Sequence, residues 1–413
     1  MENKTFLNYF LIIVYFSFFI IFGLCNDSLS NILSGLKTIF LESDILITDY
    51  LQIGGIGASF INSGLLCLIC IFILIKLKVK PNGSTFAALF TMGGFAFFGK
   101  NLLNVWPIFL GTWLYSKYQK EPFLNYILIA LFGSTLSPTV NQLSFSGYFS
   151  WWQGILLGII IGTLLGFILP PVASYSIKVH QGYNLYNSGF AAGLIATLTM
   201  SIFRLIGIDF EQRFLWSTEY TNILAIFLMT LFTSMLVIGY ILNNKSFINL
   251  KNLYKQSGRL VSDYYILFGQ GCCLINMGIL GILFTSYVLI IGGAINGPVM
   301  AGIFTIVGFG AFGKHIKNTI PIVLGTILAG FFNIWNINSP GILLSSLFST
   351  TLAPISGQFG YIYGLLAGFL HTCIVMNIGY LHAGLNLYNN GFAGGFVAII
   401  LIPIINGLKK EYR

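Results

Sequence analysis

Residues 182–190 read GYNLYNSGF, and residues 384–392 read GLNLYNNGF. A histidine precedes each string, His180 in the first case and His382 in the second. Two strings this similar do not arise by chance in one chain, so the sequence contains an internal duplication. The expected fold rests on this duplication.

The duplication continues through the chain in a constant order. Matching blocks lie about 214 positions apart over the first part of each half. The spacing is then 216 positions at Thr135 and Thr351, and 202 positions at His180 and His382. The blocks are Asp49-Tyr50 with Asp263-Tyr264, Phe98-Gly99-Lys100 with Phe312-Gly313-Lys314, and Thr135 to Pro138 with Thr351 to Pro354. We therefore expect four regions. They are residues 1–48, an N-terminal transmembrane helix with an extracytoplasmic segment; 49–207, repeat 1; 208–262, a linker with a transmembrane helix and a basic cytoplasmic loop; and 263–413, repeat 2.

The composition indicates that the surrounding solvent is lipid. Hydrophobic residues make up 56% of the 413-residue chain and charged residues only 8%, whereas a soluble domain carries about a quarter charged residues. The long apolar runs predict an all-α, multi-pass protein of the cell membrane, with the lipid bilayer as a partner. The net charge of +9 does not predict a nucleic-acid partner, because the basic residues lie in short loops between apolar runs.

Each half contains six apolar segments, of which the second and third are short. Residues 84–99 and 101–116 in repeat 1, and 297–313 and 316–333 in repeat 2, are shorter than the roughly 20 residues of a full span. We expect each short pair to form a re-entrant hairpin, with full spans as the alternative. The predicted fold then has about 10 transmembrane helices plus two re-entrant hairpins.

The charges predict that the two repeats have inverted topology. Lysines such as Lys76, Lys78 and Lys117 fall on one side, which the positive-inside rule assigns to the cytoplasm. Acidic residues such as Asp27 and Asp209 fall on the other side. With this placement, the first segment of repeat 1 runs inward and that of repeat 2 runs outward. Inverted repeats are typical of secondary transporters and of some solute channels.

Lysines at the hairpin turns are the first candidate binding residues. Lys100 and Lys314 stand where the two short segments join, and Asn104 and Asn318 follow them. If the hairpins dip into the bilayer, both ammonium groups lie near mid-depth, where a lysine is usually retained for a partner or a ligand. If the turns reach the surface instead, these lysines are ordinary loop charges.

Prolines within two further segments predict broken helices. Pro138 and Pro354 each remove one backbone donor and interrupt the helix. The freed carbonyl groups and four nearby side chains could coordinate an ion or a polar solute, although a plain helix end fits the same pattern. The four side chains belong to Thr135, Thr351, Gln142 and Gln358.

The two asparagine-rich strings open the last apolar segment of each half. A helix N-terminus presents unpaired N–H groups, which suit an anion or a carbonyl oxygen. A polar cap beside an interfacial tyrosine is the alternative interpretation. The candidate residues in the strings are Asn184, Asn187, Asn386 and Asn389.

The paired blocks resemble a duplicated bacterial membrane family that is catalogued only as a domain of unknown function. The resemblance covers about residues 49–406 and implies two tandem copies in a bacterial cytoplasmic membrane. It supplies no substrate and no site residues. The plan of inverted halves with re-entrant segments is also similar to that of urea transporters, in architecture alone.

We therefore expect a transporter or channel for a small solute that binds between the inverted repeats. The lysines favour an anionic or carboxylate-bearing solute, and a passive pore for a small neutral polar solute is the alternative. An intramembrane enzyme or a membrane scaffold is the rival from a different class. The sequence contains no legible nucleophile–base set, metal-ligand spacing or cysteine framework, so we expect no catalytic residues, no metal and no cofactor. A homo-oligomer is compatible with the sequence.

Overall fold

The computed structural model describes residues 2–44, 46–211, 213–332 and 336–410. Within these ranges the secondary structure is helical, apart from one β-bridge between Thr48 and Leu215. Eight helices in this part of the chain are long and apolar enough to cross a membrane. The protein is therefore a polytopic helical membrane protein, as its composition predicted.

The described helices divide evenly between the two halves. The first half contains α1 (Glu2–Asn26), α2 (Leu29–Leu41), α3 (Tyr50–Lys76), α4 (Gly83–Phe95), α5 (Trp106–Tyr118), α6 (Ile127–Gly133), α7 (Ser137–Phe145), α8 (Trp151–Val179) and α9 (Asn187–Leu205). The second half contains α10 (Thr221–Leu242), α11 (Ile248–Leu253), α12 (Tyr264–Ile290), α13 (Gly297–Phe309), α14 (Ile316–Gly330), α15 (Pro340–Phe348), α16 (Ala353–Phe359), α17 (Tyr361–His382) and α18 (Asn389–Lys410).

The packing of α1 on α3 is repeated by α10 on α12. A Cβ atom built on Gly64 of α3 would lie 3.0 Å from the carbonyl oxygen of Phe16, and one built on Gly278 of α12 would lie 2.7 Å from that of Phe232. Such close approaches require a residue without a side chain. The equivalence of the halves therefore begins at α1 and α10, two helices ahead of the repeat boundaries expected from the sequence.

An aspartate begins α3 and α12, and a glycine then breaks each helix. Asp49 and Asp263 accept backbone N–H groups in the first turn. Gly55 has φ 76° and Gly269 has φ 81°, in the left-handed region that glycine adopts without steric penalty. Each helix consequently has a short first segment that points away from the rest.

The same aspartates join the two halves. Asp49 Oδ1 accepts the backbone N–H of Gly297 at 3.2 Å, where α13 begins. Asp263 Oδ1 accepts that of Gly83 at 3.0 Å, where α4 begins. Each half thus stabilises the start of a short helix in the other half.

The short helices α4 and α13 pack against each other in antiparallel fashion. Gly94, near the end of α4, faces Ala301 near the start of α13, and Gly308, near the end of α13, faces Ala87 in α4. Each helix has 13 residues, or about 20 Å, which is less than the thickness of the bilayer core. A turn connects α4 to α5 and α13 to α14. We call these turns, residues 96–105 and 310–315, the tips.

The two apolar segments that contain Pro138 and Pro354 are broken in the structure. Turns of 3₁₀ helix at Ser134–Leu136 and Ser349–Leu352 separate α6 from α7 and α15 from α16. Pro138 and Pro354 then lie in the first turn of α7 and α16, where a missing N–H is tolerated. The described part of the chain therefore has eight long helices and two broken segments, where about ten spans were expected.

The two ends of the helix bundle differ in charge. We call the end at Lys76 and Lys117, where α3 and α5 finish, the basic face. We call the opposite end the acidic face. There Asp209 pairs with Arg204, and Glu42 pairs with Arg213.

Candidate functional site

Each tip carries a buried lysine that reaches a tyrosine of the other half. Lys100 Nζ lies 2.6 Å from the hydroxyl of Tyr388, and Lys314 Nζ donates to the hydroxyl of Tyr186. The same amines lie 4.7 Å and 4.4 Å from the ring centroids of these tyrosines. An aromatic face attracts an ammonium group, most strongly where water is excluded. The two halves therefore hold each other's lysines.

A buried asparagine supports each tip from the neighbouring long helix. Asn62 of α3 donates to the carbonyl oxygen of Lys100 at 2.9 Å, and Asn276 of α12 donates to that of Lys314 at 2.8 Å. Each amide also donates to a carbonyl four residues earlier in the tip. These bonds satisfy backbone groups that neither short helix can satisfy, so the tips can be buried.

Neither tip lysine has a carboxylate partner in the described part of the chain. Both side chains are fully buried, with 0% exposure. Over the residues that the structure describes, the ion pairs join Arg204 to Asp209 and Arg213 to Glu42. An ammonium group buried without a counter-ion is unfavourable. The arrangement can therefore either receive an anion or keep the amine neutral.

Hydrogen bonds between the Thr-Leu-x-Pro blocks and the asparagine-rich strings position the tyrosines. Thr135 Oγ1 donates to Asn386 Oδ1 at 2.8 Å, and Thr351 Oγ1 donates to Asn184 Oδ1 at 2.5 Å. The same threonine oxygens accept the backbone N–H groups of the two tyrosines, at 2.9 Å in each half. The helix breaks before the prolines therefore fix the position of the residues that bind the lysines.

The last helices of the two halves begin at the centre of the molecule. Asn187 and Asn389 start α9 and α18, and each bonds the histidine that precedes its string, at 2.8 Å and 2.9 Å. A Cβ atom built on Gly189 would lie 3.3 Å from the Cα of Gly391. The two N-termini thus meet beside the tyrosines.

A cavity of about 210 Å³ lies between the halves and is lined by both tyrosines. Most of its wall consists of matched residues, and these are mainly aromatic or aliphatic. The matched pairs are Thr91 and Thr305, Phe95 and Phe309, Phe132 and Phe348, Leu185 and Leu387, Tyr186 and Tyr388, and Ser188 and Asn390. Ile177, Leu260 and Val261 also line the cavity, without their counterparts from the other half. In the sequence these three residues adjoin the basic residues Lys178 and Arg259.

The sequence profile of a family described as "Protein of unknown function (DUF1576)" matches residues 28–205 and 242–407. The chain belongs to the DUF1576 family. The two matched segments correspond to the two halves of the structure, and the first begins directly before α2. No curated protein and no solved structure matches the chain.

In this DUF1576 protein the predicted site residues fall into two groups. One group surrounds the cavity and its tyrosines, and it consists of Lys100, Lys314, Thr135, Thr351, Asn184, Asn386, Asn187 and Asn389. The other group lies away from the cavity, and it consists of Asn104, Asn318, Gln142 and Gln358.

The second group has identifiable positions. Asn104 donates to the carbonyl of Gly99 at 3.1 Å, and Asn318 donates to that of Gly313 at 2.8 Å, so both shape the tips. The glutamines lie one helical turn beyond the prolines, and this extra turn places them away from the cavity. Gln142 lines a separate cavity at the acidic face, and Gln358 is exposed.

The predicted set omitted the two tyrosines that contact the lysines. Tyr186 and Tyr388 occupy the same place in both strings, and an interfacial position was the plainer interpretation. A hydroxyl repeated within apolar sequence, at the offset of 202 positions that also relates His180 to His382, is the signal that pointed to them. Thr350, which accepts a second hydrogen bond from Lys314 at 2.7 Å, carries no such signal, because its counterpart is Ser134.

Proposed function

We propose that this DUF1576 protein is a membrane transporter for a small anionic or carboxylate-bearing solute. In this proposal the solute binds in the cavity between two inverted repeats and crosses the membrane unchanged. One observation carries the proposal. A cavity with matched walls from both halves adjoins two buried lysines that have no carboxylate partner among the described residues.

The helix order supports inverted repeats. The first half would cross the membrane five times, through α1, α3, the broken segment α6–α7, α8 and α9. The pair α4–α5 would enter and leave on one side as a re-entrant hairpin, and so would α13–α14. Because five is odd, the second half starts on the opposite side. The antiparallel packing of α4 and α13 also fits a twofold axis in the membrane plane.

The charges support an orientation with the basic face in the cytoplasm of a bacterial cell. The cavity then extends towards the cytoplasm, because Ile177, Leu260 and Val261 line it. Among the described residues, the lining includes none of those that form the separate cavity at the acidic face. A cavity that reaches one side only favours alternating access over a continuous passive pore.

The chemistry of the wall supports an anion with a partly apolar body. Aromatic and aliphatic side chains form most of the lining, and the polar groups are hydroxyls, amides and the lysines behind the tyrosines. An entering carboxylate would offer an ammonium group the counter-charge that the protein lacks. A neutral polar solute would leave both lysines uncompensated.

Uptake into proteoliposomes tests the proposal. Radiolabelled acetate, benzoate and succinate serve as anionic probes, and urea serves as the neutral probe. At least one anion should accumulate, and Lys100→Met and Lys314→Met should each lower its uptake about tenfold or more, since a charge-assisted hydrogen bond is worth about 1.5–3 kcal/mol.

Lys117→Met is the matched control, because Lys117 lies at the end of α5 over the ring of Trp113 and outside the cavity. It should transport like the wild type. Transport of urea alone, or undiminished anion uptake by Lys100→Met, would contradict an anion site at the tips.

A further inference from the structure

A buried carboxyl group lies in the connection between α2 and α3. Asp44 has 0% exposure, and its Oδ2 accepts from the hydroxyl of Tyr50 at 2.7 Å and from the amide of Asn141 at 2.7 Å. Asn104 and Asn101 of the tip donate to the same oxygen from 3.1 Å and 3.4 Å. Four neutral donors from three parts of the fold thus converge on one oxygen.

The other oxygen of this carboxyl group, Oδ1, is buried and has no hydrogen-bond partner among the residues that the structure describes. The charged and titratable groups that face Asp44 are Glu42 from the same connection, Tyr50 from α3 and Arg213 from the segment before α10. Arg213 is engaged by Glu42. The tip and α7 contribute only amides, so no cation pairs directly with Asp44 in the described part of the chain.

The second half has no acid at the matched position. Gly258 stands there, 214 residues after Asp44, and backbone carbonyls hold the second tip. His315 bonds the carbonyl oxygen of Gln256 at 2.9 Å, and Asn318 donates to that of Ser257 at 3.4 Å. Because one tip is held without an acid, the fold itself does not require Asp44.

Asp44 lies between water at the acidic face and the lysine of the first tip. Its neighbour Ser43 lines a polar cavity of about 480 Å³ at that face, together with Gln142, the neighbour of Asn141. On the other side, the Asn104 amide that donates to Asp44 also donates to the carbonyl of Gly99, directly before Lys100. A change of charge at Asp44 would therefore act on the position of the first tip.

We propose that Asp44 is a proton-binding site that responds to the acidic-face solution. When the protein closes over Asp44, hydronium in the 480 Å³ cavity gives its proton to the carboxylate, an O–H bond forms, and water is released. When that side opens, water accepts the proton and the carboxylate ionises. Protonation weakens the four hydrogen bonds to Asp44, two of which come from the tip, and ionisation strengthens them.

Burial supports this assignment. It raises the pKa of Asp44 to about 8. The hydrogen bond from Tyr50 lowers this pKa, the nearby Glu42 raises it, and Arg213 lowers it. A group in this range binds and releases protons near neutral pH, as a coupling site requires. This inference rests on the proposed transport only in its consequence, which is that proton binding at Asp44 from the acidic-face solution would modulate transport. Proton binding at Asp44 is measured without any solute, so a negative result there is distinguishable from an absence of transport.

Infrared difference spectroscopy of the purified full-length protein tests the site. The carbonyl stretch of a protonated carboxyl group should be present at about pH 6 and lost by about pH 9.5, with a midpoint near 8. Asp44→Asn should remove this band. Glu219→Gln, at an exposed acid ahead of α10, should leave it unchanged.

A second variant covers the case in which Asp44→Asn does not fold. Asn141→Leu removes a donor that favours the ionised carboxylate, so the midpoint should rise by about one pH unit. A band that persists in Asp44→Asn, or the lack of any titrating band between these pH values in the wild type, would overturn the proposal.

Discussion

At the scale of single residues, the two lysine–tyrosine pairs are similar but not equal. Lys314 donates to Thr350 at 2.7 Å as well as to Tyr186, whereas the hydrogen bond of the Lys100 amine is to Tyr388. Ser134, the counterpart of Thr350, donates to the carbonyl of Leu131 as Thr350 does to that of Leu347, but among the described residues it accepts no hydrogen bond from Lys100. The first lysine therefore depends more heavily on its tyrosine.

This inequality predicts unequal effects of removing the hydroxyl groups. Tyr388→Phe leaves the Lys100 amine without a hydrogen bond and should lower the free energy of unfolding by about 1–3 kcal/mol. Tyr186→Phe should have a smaller effect, since Lys314 keeps Thr350. Unfolding midpoints in detergent measure both, with the exposed Tyr118→Phe as control. Equal losses for the two variants would contradict this account.

The carboxyl group of Asp44 predicts a pH dependence of stability. In the unfolded chain it ionises near pH 4, whereas burial raises the folded pKa to about 8. The folded protein binds more protons in this window, so stability should fall as pH rises from about 4 to 8. Asp44→Asn should lack that decline. Unfolding midpoints of both proteins across this window measure the difference, and parallel curves would contradict it.

At the scale of elements, glycines set how closely the halves approach. A Cβ atom on Gly83, at the start of α4, would collide with the carbonyl oxygen of Ala311 in the second tip. Backbone cannot move aside as a side chain does, so Gly83→Ala should destabilise the protein by about 1–3 kcal/mol. Gly407→Ala in α18 meets nothing within 4 Å and is the matched control. The unfolding midpoint distinguishes them, and similar midpoints would contradict the close contact.

The sequence predicted elements best where chemistry is repeated. The duplicated blocks located the tips, the helix breaks and the starts of α9 and α18 because those positions need special residues. The repeated sequence blocks begin at Asp49 and Asp263, whereas the repeated packing already includes α1 and α10. The helices α1 and α10 hold corresponding positions but need only apolar side chains towards lipid, so their sequences diverge freely. Asp44 was missed as a site residue since it has no counterpart.

At the scale of the whole molecule, reciprocal contacts make the halves one cooperative unit. Asp49 and Asp263 each cap a helix of the opposite half, and the lysine–tyrosine pairs cross in the same way. We therefore expect a single calorimetric unfolding transition in detergent. Gly83→Ala should lower the temperature of the whole transition rather than split it. Two separated peaks, one for each half, would show that the halves fold independently.

The crossing of the lysine–tyrosine pairs also has a consequence for biosynthesis. Tyr186 has already left the ribosome when Lys314 is made 128 residues later. Lys100 must wait for Tyr388, which follows it by 288 residues, close to the end of the chain. A nascent chain that stops early therefore exposes an unsatisfied lysine in the bilayer. Only a chain that extends past Tyr388 can bury this lysine against its tyrosine.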